Sequence, residues 1–347
     1  MTTSPHPRGA TSPSTTQVSA YTPAQITTWL HHLHLPRAYT PYITNPSTFP
    51  QTFESLRTLM RCQISRFPFE NLSVHYSSTH VVDIRPAILY NKLLGPNANG
   101  RGGYCLELSI LFHHMLCGLG FKTYMTGARI RARVDGVPGG GLFGDVILIN
   151  HLRIHTTNII HLPNGTKYSI DVGFGGDAPS ISTISSISSA NQLSIFSNLG
   201  PQQIRLSQSH IPLQSPFLTH SPESQNNKFW IYRYRNRPTH EWNSFYCFQE
   251  IEFFEADFEV VNLFACLRSP VHRGSVLVVR FLRGDVNIIG KVMLVDKLIK
   301  VNLGGKTRVV HEFTTEEGRM QALWKYFGIR LTEEEKEGIR GWDKELL

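Results

Sequence analysis

The hydrophobic residues in the first third of the chain recur at helical spacing. Ile26, Leu30 and Leu33 form one such series, and residues 56–64 hold another. After Phe121 the pattern changes to short runs rich in β-branched residues, such as VILI at 146–149, separated by turn-forming residues. We therefore predict an α+β protein with a helical domain over residues 21–120 and a β domain over residues 121–228.

Residues 229–347 are predicted to form a third domain of mixed α/β structure. Three strand-like runs, VLVVRFL, VMLV and LIKVNL, precede one clear helix. Thr314 and Glu317 have the spacing of an N-terminal capping box, so we expect the helix to begin there and to end at Gly328.

Two stretches have compositions that disfavour a packed structure. Residues 1–20 are rich in Ser, Thr and Pro with hardly a large apolar residue, so we expect a disordered tail. Residues 178–227, inside the β domain, are rich in Ser, Gln and Pro. We expect this insertion to be a long surface excursion with partial order.

Composition and charge narrow the class of protein. The chain has 347 residues and is 41% hydrophobic, which is typical of a packed globular protein. It has no apolar run near the roughly 20 residues that a bilayer-spanning helix needs, so we expect a cytoplasmic protein without membrane partners. The formal charge of +8 comes from dispersed Lys and Arg residues, which disfavours nucleic acid as a partner and leaves either an attraction for small anions or a solvated basic surface without a role.

The cysteines are odd in number and include no C-x-x-C pair. They predict neither a disulfide framework nor a zinc site, and no metal is expected. Free thiols remain. The cysteines are Cys62, Cys105, Cys117, Cys247 and Cys266.

Cys105 differs from the other four because it follows the turn RGGY at 101–104. It also opens a helix that is predicted from Leu106, Ile110 and Leu111. Free N–H groups and the positive end of the dipole at a first helical turn favour thiolate over thiol, which makes a cysteine nucleophilic. A cysteine considered alone is more often a small buried apolar residue.

A nucleophilic thiolate needs a base and a group that orients the base. The segments HTTNIIHL and TKYSIDVGFG flank PNG at 163–165, which has the pattern of a three-residue hairpin loop. If Leu162 faces Thr166, then His155 lies opposite residue 173 and shares a face with Asp171. Their Cβ atoms would be about 7–8 Å apart or less. An imidazole–carboxylate hydrogen bond is then possible, although a strand histidine or a turn aspartate is by itself more often structural.

The same register disfavours two other nearby histidines as the base. His161 would lie about four residues, or roughly 13 Å, along the ladder from the position of Asp171. His151 would lie about six residues, or roughly 20 Å, from it. The hairpin geometry therefore selects His155.

These residues, in this order, resemble the arylamine N-acetyltransferase family, as a fungal or other eukaryotic-type member. The matching motifs are RGGYCLE at 101–107, the histidine at 155, DVGFG at 171–175 and PFENL at 68–72. Further similarity extends from about residue 22 to about residue 331, including ADFE at 256–259, the 262–270 stretch and FGI at 327–329. Any one motif is weak, whereas the set is highly specific.

The resemblance implies a helical bundle, a β-barrel second domain and an α/β lid, with a cysteine-protease-like core. It makes Cys105 the acylated nucleophile, His155 its base and Asp171 the residue that orients His155. The implied reaction transfers an acetyl group from acetyl-CoA to an arylamine or a hydrazine.

The resemblance also implies roles for residues around the triad. Phe69 and Phe174 match aromatic positions near the acceptor pocket. A role as ordinary core residues is an equally good interpretation of both. Glu70 and Arg101 match a buried ion pair that braces the cysteine turn. Removing one partner of such a pair would destabilise the fold by more than the intact pair stabilises it.

One motif, SPVHRG at 269–274, departs from the family pattern. Relatives usually carry Thr or Ser and then Phe here, near the phosphates of CoA. In this chain Ser269, His272 and Arg273 are the candidate CoA contacts, with His272 or Arg273 supplying charge in place of hydroxyl groups. The departure leaves an acyl-CoA with a bulkier or charged acyl group, such as malonyl-CoA, as an alternative donor.

Two other functions share these residues. A cysteine protease or transglutaminase uses the same triad chemistry but needs an open peptide groove, which the DVGFG motif and the third domain disfavour. A catalytically silent binding paralogue is the other alternative. Intact Cys105, His155 and Asp171 favour the transferase over the silent paralogue.

Overall fold

The computed structural model describes residues 18–131, 133–134, 137–138, 154–175, 180–184, 194–212, 214–285 and 287–347. Helices fill the first part of these residues, and two antiparallel sheets follow. None of the described helices is both long enough and apolar enough to cross a bilayer. The helices are α1 (Pro23–His32), α2 (Thr40–Ile43), α3 (Phe53–Arg66), α4 (Leu72–Tyr76), α5 (Pro86–Leu94), α6 (Cys105–Gly118), α7 (Pro216–His220), α8 (Glu255–Arg268), α9 (Pro270–Arg273), α10 (Glu316–Ala322) and α11 (Glu333–Gly338).

The strands are β1 (Phe69–Glu70), β2 (Lys122–Ile130), β3 (Arg133–Val134), β4 (Val137–Pro138), β5 (Ile154–His161), β6 (Lys167–Asp171), β7 (Ser180–Ile184), β8 (Phe196–Ser197), β9 (Gln203–Ser209), β10 (Phe229–Arg235), β11 (Asn243–Phe248), β12 (Leu277–Arg283), β13 (Ile288–Val295), β14 (Leu298–Asn302) and β15 (Arg308–Glu312). Strands β3 and β4 pair only with each other within the described residues.

The predicted helical faces are the buried faces. Ile26 and Leu30 of α1 are buried, as are the apolar residues of α3. Thr22 begins α1 with a capping box, because its hydroxyl accepts from the Gln25 N–H and its own N–H donates to the Gln25 side chain at 2.9 Å. Helix α6 is buried around nearly its whole circumference against α1, α5, β2 and β5. It therefore carries Cys105 into the interior.

The larger sheet has eight antiparallel strands in the order β7-β6-β5-β2-β11-β10-β9-β8. Strands β7 and β9 approach each other, so the sheet curls into a nearly closed barrel, as expected for the second domain. Large side chains fill the interior of this barrel. They include Ile159, Leu206, Trp230, Tyr232 and Tyr246.

This sheet does not follow the expected boundary at residue 228. Strands β10 and β11 lie in its middle and pair with β9 and β2, so the sheet extends about 20 residues beyond that boundary. The expected surface excursion at 178–227 was also misjudged in its described parts, since β7 and β9 belong to the sheet. In β9 the apolar Ile204 and Leu206 alternate with polar residues and are buried, a period-2 pattern that overall composition conceals.

The smaller sheet has the order β1-β12-β13-β14-β15 and packs on the C-terminal helices. Its middle strands confirm the three predicted runs. Strand β1 comes from the helical region and pairs Phe69 with Val279 and Glu70 with Val278. The predicted strand at 146–149 and the tail before residue 18 lie outside the described residues.

The start of α10 was predicted one residue too early. Thr315, rather than Thr314, is the N-cap, and its hydroxyl accepts from the Gly318 N–H at 3.2 Å. The third helical residue is then Gly318, so no capping box forms, but both Glu316 and Glu317 lie in the first turn, where the helix dipole favours carboxylates. The helix continues through a π-helical turn at Leu323–Phe327 and ends at Gly328, as predicted.

Candidate active site

Two glycines pack the cysteine turn against the start of β1. A Cβ at Gly102 would lie 1.8 Å from the carbonyl oxygen of Pro68, so only glycine fits there. The Gly103 N–H donates to the same oxygen at 3.2 Å, and the Glu70 N–H donates to the Gly103 carbonyl at 2.9 Å. These contacts fix the direction in which α6 leaves the turn, with Cys105 as its first residue.

Buried charges hold the beginning of α6. Glu107 accepts from the Tyr104 N–H at 3.0 Å, and its other oxygen lies 2.6 Å from the Lys92 ammonium. Burial raises the pKa of Glu107, and the nearby Glu70 carboxylate raises it further, although Lys92 acts in the opposite direction. Glu107 therefore closes the N-terminal turn on which the cysteine sits.

The predicted ion pair lies directly beneath this turn. The Arg101 Nε lies 2.9 Å from Glu70 Oε1, and both side chains are buried. Burial acts to raise the pKa of Glu70, but Arg101 and Lys92 outweigh it and hold that pKa below its ordinary value. Arg101 also pairs with Glu335 of α11, a residue that the sequence analysis missed. No local pattern could have shown this contact, because the partners lie 234 positions apart.

The hairpin register places His155 beside Asp171, as predicted. The Leu162 N–H donates to the Thr166 carbonyl at 2.9 Å, and the ladder runs in register from there to Asn158. His155 Nε2 lies 2.7 Å from Asp171 Oδ2, and the two side chains are only 2% and 0% exposed. The hydrogen bond is therefore shielded from water.

The predicted pairing of His155 with Gly173 is wrong. The ladder ends at Asn158, and beyond it Asp171 Oδ1 accepts from the Gly173 N–H at 2.9 Å. Gly173 packs instead against the cysteine turn, where a Cβ would lie 2.7 Å from the Cys105 Cα. This departure from the sheet brings the His–Asp pair to the nucleophile, a step that strand spacing alone could not predict.

The electrostatics of His155 follow from these contacts. Burial lowers its pKa, but the Asp171 carboxylate and a hydrogen bond with the Cys105 side chain outweigh burial and raise the pKa to about 10. Because Asp171 occupies Nε2, Nδ1 is the ring nitrogen left for Cys105. His155 is therefore an imidazolium at neutral pH, hydrogen-bonded on one side to the carboxylate and on the other to the sulfur.

This charge state leads to a prediction for titration by nuclear magnetic resonance. The ¹⁵N shifts of the His155 ring should remain those of an imidazolium to well above pH 8 and change only near pH 10. Since this folded-state pKa lies above 6.5, the stability that His155 contributes is complete below about pH 6.5 and is lost as pH rises through about 10. The exposed His161 is the internal control. Titration of His155 near pH 6.5 would contradict the assignment.

Two aromatic residues complete the surroundings of His155. The Phe174 ring is edge-on to the imidazole at 5.1 Å between centroids, and the Tyr246 ring lies 5.2 Å away. The Tyr246 hydroxyl bonds to Asp171 and Ser180, and burial followed by the Asp171 charge raises the pKa of Tyr246 well above its ordinary value. Sequence reasoning missed Tyr246 because it reaches the site from β11, across β2 from β5. Phe69, by contrast, lies in the main core, in contact with Gly175.

Within the part of the chain that the structure describes, the other histidines and cysteines do not form a comparable site. His161 is exposed at the far end of β5, and His151 lies outside the described residues. Burial raises the pKa of the remaining cysteine thiols to about 11 or about 12, which keeps them protonated. Those thiols are Cys62, Cys117, Cys247 and Cys266. Within the described residues no cluster of His, Cys, Asp and Glu is arranged to hold a metal ion.

The three candidate CoA contacts lie around the end of α8. Ser269 is buried there, and the Arg273 guanidinium lies 4.6 Å from the centre of the Trp342 ring. Burial, with smaller effects of His155 and His75, lowers the pKa of His272 to about 4. His272 is therefore neutral near pH 7 in the free protein, which leaves Arg273, the other candidate, as the side chain with a standing charge.

The fold and the site together define an α+β protein in which a cysteine at a helix N-terminus meets a His–Asp pair carried by a β-barrel. A family model described as N-acetyltransferase matches residues 52–336. The chain belongs to the arylamine N-acetyltransferase family and is an N-acyltransferase. This assignment disfavours the protease and transglutaminase interpretations.

The relatives differ in the acyl group that they are named for. N-malonyltransferase FDB2 of Gibberella moniliformis is 29% identical over 293 residues, which cover 82% of this chain and 80% of that protein. Arylamine N-acetyltransferase 1 of Oryctolagus cuniculus is 31% identical over 127 residues, 35% of this chain and 36% of that protein. Arylamine N-acetyltransferase of Mycobacterium marinum, solved in complex with CoA, has the same fold, with a TM-score of 0.63 at 17% identity over 90% of this chain and 98% of that one.

Proposed function

We propose that the protein transfers an acyl group from an acyl-CoA to an aromatic amine or hydrazine through a thioester on Cys105. The observation that carries this proposal is the contact of His155 with both Asp171 and Cys105, buried at the N-terminus of α6. The base is thus within hydrogen-bonding reach of both the nucleophile and the orienting carboxylate, as thiol-based acyl transfer requires.

In the first half of the reaction the Cys105 thiolate attacks the carbonyl carbon of the acyl-CoA thioester. The free N–H groups at the start of α6 and the imidazolium of His155 favour the thiolate. The C–S bond to CoA breaks, and the departing CoA sulfur takes the proton of His155. The products are free CoA, a Cys105 thioester and a neutral imidazole.

In the second half the neutral His155 accepts a proton from the attacking amine. An aromatic amine is mostly unprotonated at neutral pH, so the site need not remove a charge before attack. The nitrogen forms an amide with the acyl carbon, the C–S bond to Cys105 breaks, and the thiolate–imidazolium pair is restored. Phe174, edge-on to the imidazole, is the aromatic surface that we expect the acceptor ring to contact.

Malonyl-CoA is the donor that the comparisons favour. The similarity to the N-malonyltransferase spans most of both chains, whereas the similarity to the rabbit acetyltransferase spans about a third of each. Acetyl-CoA, the donor implied by the family resemblance, is the second candidate. Arg273 is the cationic side chain that we expect near the phosphates of either donor.

The test is acyl-enzyme formation without an acceptor. The full chain is mixed with malonyl-CoA or acetyl-CoA, and intact-protein mass spectrometry should show one acyl group per chain, which peptide analysis should locate on Cys105. Addition of an aniline or a hydrazine should then remove it as the acylated amine. The ratio of the two acylation rates identifies the donor. An unmodified chain with both donors would contradict the proposal.

A further inference from the structure

His272 is a buried polar residue beside the cysteine turn that the proposed chemistry does not use. It lies in α9, where its carbonyl accepts from the Asn71 side-chain amide at 2.8 Å. Its ring is edge-on to that of Tyr104, with centroids 4.8 Å apart. The residue is only 7% exposed, and its Nδ1 is buried with no hydrogen-bond partner among the residues that the structure describes. A buried polar atom left in this state disfavours folding, so its presence calls for an explanation such as a role in binding.

The other ionisable groups beneath the turn already have partners. Arg101 is paired with Glu70 and Lys92 with Glu107, while Asp171 holds His155. Another buried imidazole, that of His75, also has an Nδ1 without a partner in the described part of the chain. Its contacts are with the Asn71 side chain and the Ser275 carbonyl rather than with the cysteine turn.

We propose that His272 recognises the free carboxylate of a malonyl group on the donor thioester. The inference rests on the proposed function, and it specifies which residue distinguishes the two candidate donors. Malonyl differs from acetyl by one carboxylate on the methyl carbon. A carboxylate carried into a buried site is costly unless a charged or hydrogen-bonding partner meets it there. His272 contacts Tyr104, the residue that precedes Cys105, and its Nδ1 is free among the described residues to meet such a carboxylate.

The proton balance follows from the groups around His272. His155 and His75 are the ionisable groups that affect its pKa, and the Tyr104 ring packs against it. None of these three side chains is an anion at neutral pH. Burial and the cationic His155 keep the imidazole neutral in the free protein. An arriving carboxylate reverses this preference, so His272 takes up a proton as malonyl-CoA binds. Acetyl-CoA carries no such carboxylate and should cause no such uptake.

The experiment measures binding and acylation separately. In a Cys105→Ser background, malonyl-CoA and acetyl-CoA are titrated by calorimetry near neutral pH in two buffers of different ionisation enthalpy. Malonyl-CoA should bind with uptake of about one proton more than acetyl-CoA. His272→Asn should abolish that difference and reduce the malonyl-to-acetyl affinity ratio about 10- to 100-fold. His161→Asn, an exposed strand histidine, is the matched control, and His272→Gln replaces the Asn variant if that variant does not fold.

The possible outcomes separate the two proposals. The role of His272 would be overturned if His272→Asn lost affinity equally for both donors. Equal proton uptake on binding of the two donors to the Cys105→Ser protein would also overturn it. If the wild-type protein forms no thioester but His272 still makes malonyl-CoA bind differently from acetyl-CoA, the proposed reaction is wrong and carboxylate recognition by His272 stands. If neither donor binds, both proposals are wrong.

Discussion

Replacing Cys105 with serine is expected to abolish acyl transfer while leaving the fold intact. Serine occupies nearly the same volume at the first position of α6, and its hydroxyl is compatible with a helix N-terminus. It does not ionise near neutral pH, so His155 would lose its thiolate partner. Loss of a nucleophile from a catalytic triad costs on the order of 10⁴-fold or more in turnover.

The measurement compares turnover, acyl-adduct formation and thermal unfolding of wild type and variant. Cys117→Ser is the matched control because Cys117 lies near the other end of the same helix and burial raises its pKa to about 12. The control should form the acyl adduct at the wild-type rate. Normal turnover in Cys105→Ser would show that the nucleophile is another residue.

Local spacing was sufficient to find the candidate triad. The turn at 101–104 and the helical periodicity after it located Cys105, and the hairpin loop at 163–165 fixed the register that joins His155 to Asp171. Each of these inferences depends on residues within about 20 positions of one another, where secondary-structure geometry determines distances.

Contacts between distant segments could not be found in this way. Tyr246 reaches Asp171 from β11, and Glu335 reaches Arg101 from α11, because sheet order and domain packing bring them there. Neither residue stands in a distinctive motif. The strands within 178–227 were missed for a different reason, since Ser and Gln are frequent in loops yet also occupy the polar face of β9.

The charge state of His272 could not be predicted because sequence alone does not give burial. The motif SPVHRG offered His272 or Arg273 as the side chain that supplies charge near the CoA phosphates. In the structure α9 packs against α4 and α8, and desolvation makes the neutral imidazole the stable form. The same residue thereby changes from an expected phosphate contact into a candidate for carboxylate recognition.

Replacing Asp171 with asparagine should be nearly as damaging as the loss of the nucleophile. The carboxylate accepts from His155 on one oxygen and from the Gly173 N–H on the other. Asparagine can keep the second bond through its carbonyl oxygen, so the turn against Cys105 should survive. Its amide would then face Nε2 as a donor, which forces that nitrogen to accept and leaves the imidazole neutral. Without the Asp171 charge, burial lowers the pKa of His155 and only the contact with Cys105 opposes it, so that pKa should fall.

The consequence is a thiol without a cationic partner at neutral pH. In serine-protease triads the equivalent exchange costs about 10⁴ in turnover, and we expect a similar loss here, accompanied by slower alkylation of Cys105 by iodoacetamide. The difference in alkylation rate should be large near neutral pH, where only the wild type holds an imidazolium at His155. Glu312→Gln, which removes an exposed carboxylate paired with Lys297, is the control and should change neither rate. An Asp171→Asn protein that folds, alkylates at the wild-type rate near neutral pH and still transfers the acyl group would reduce Asp171 to a turn residue.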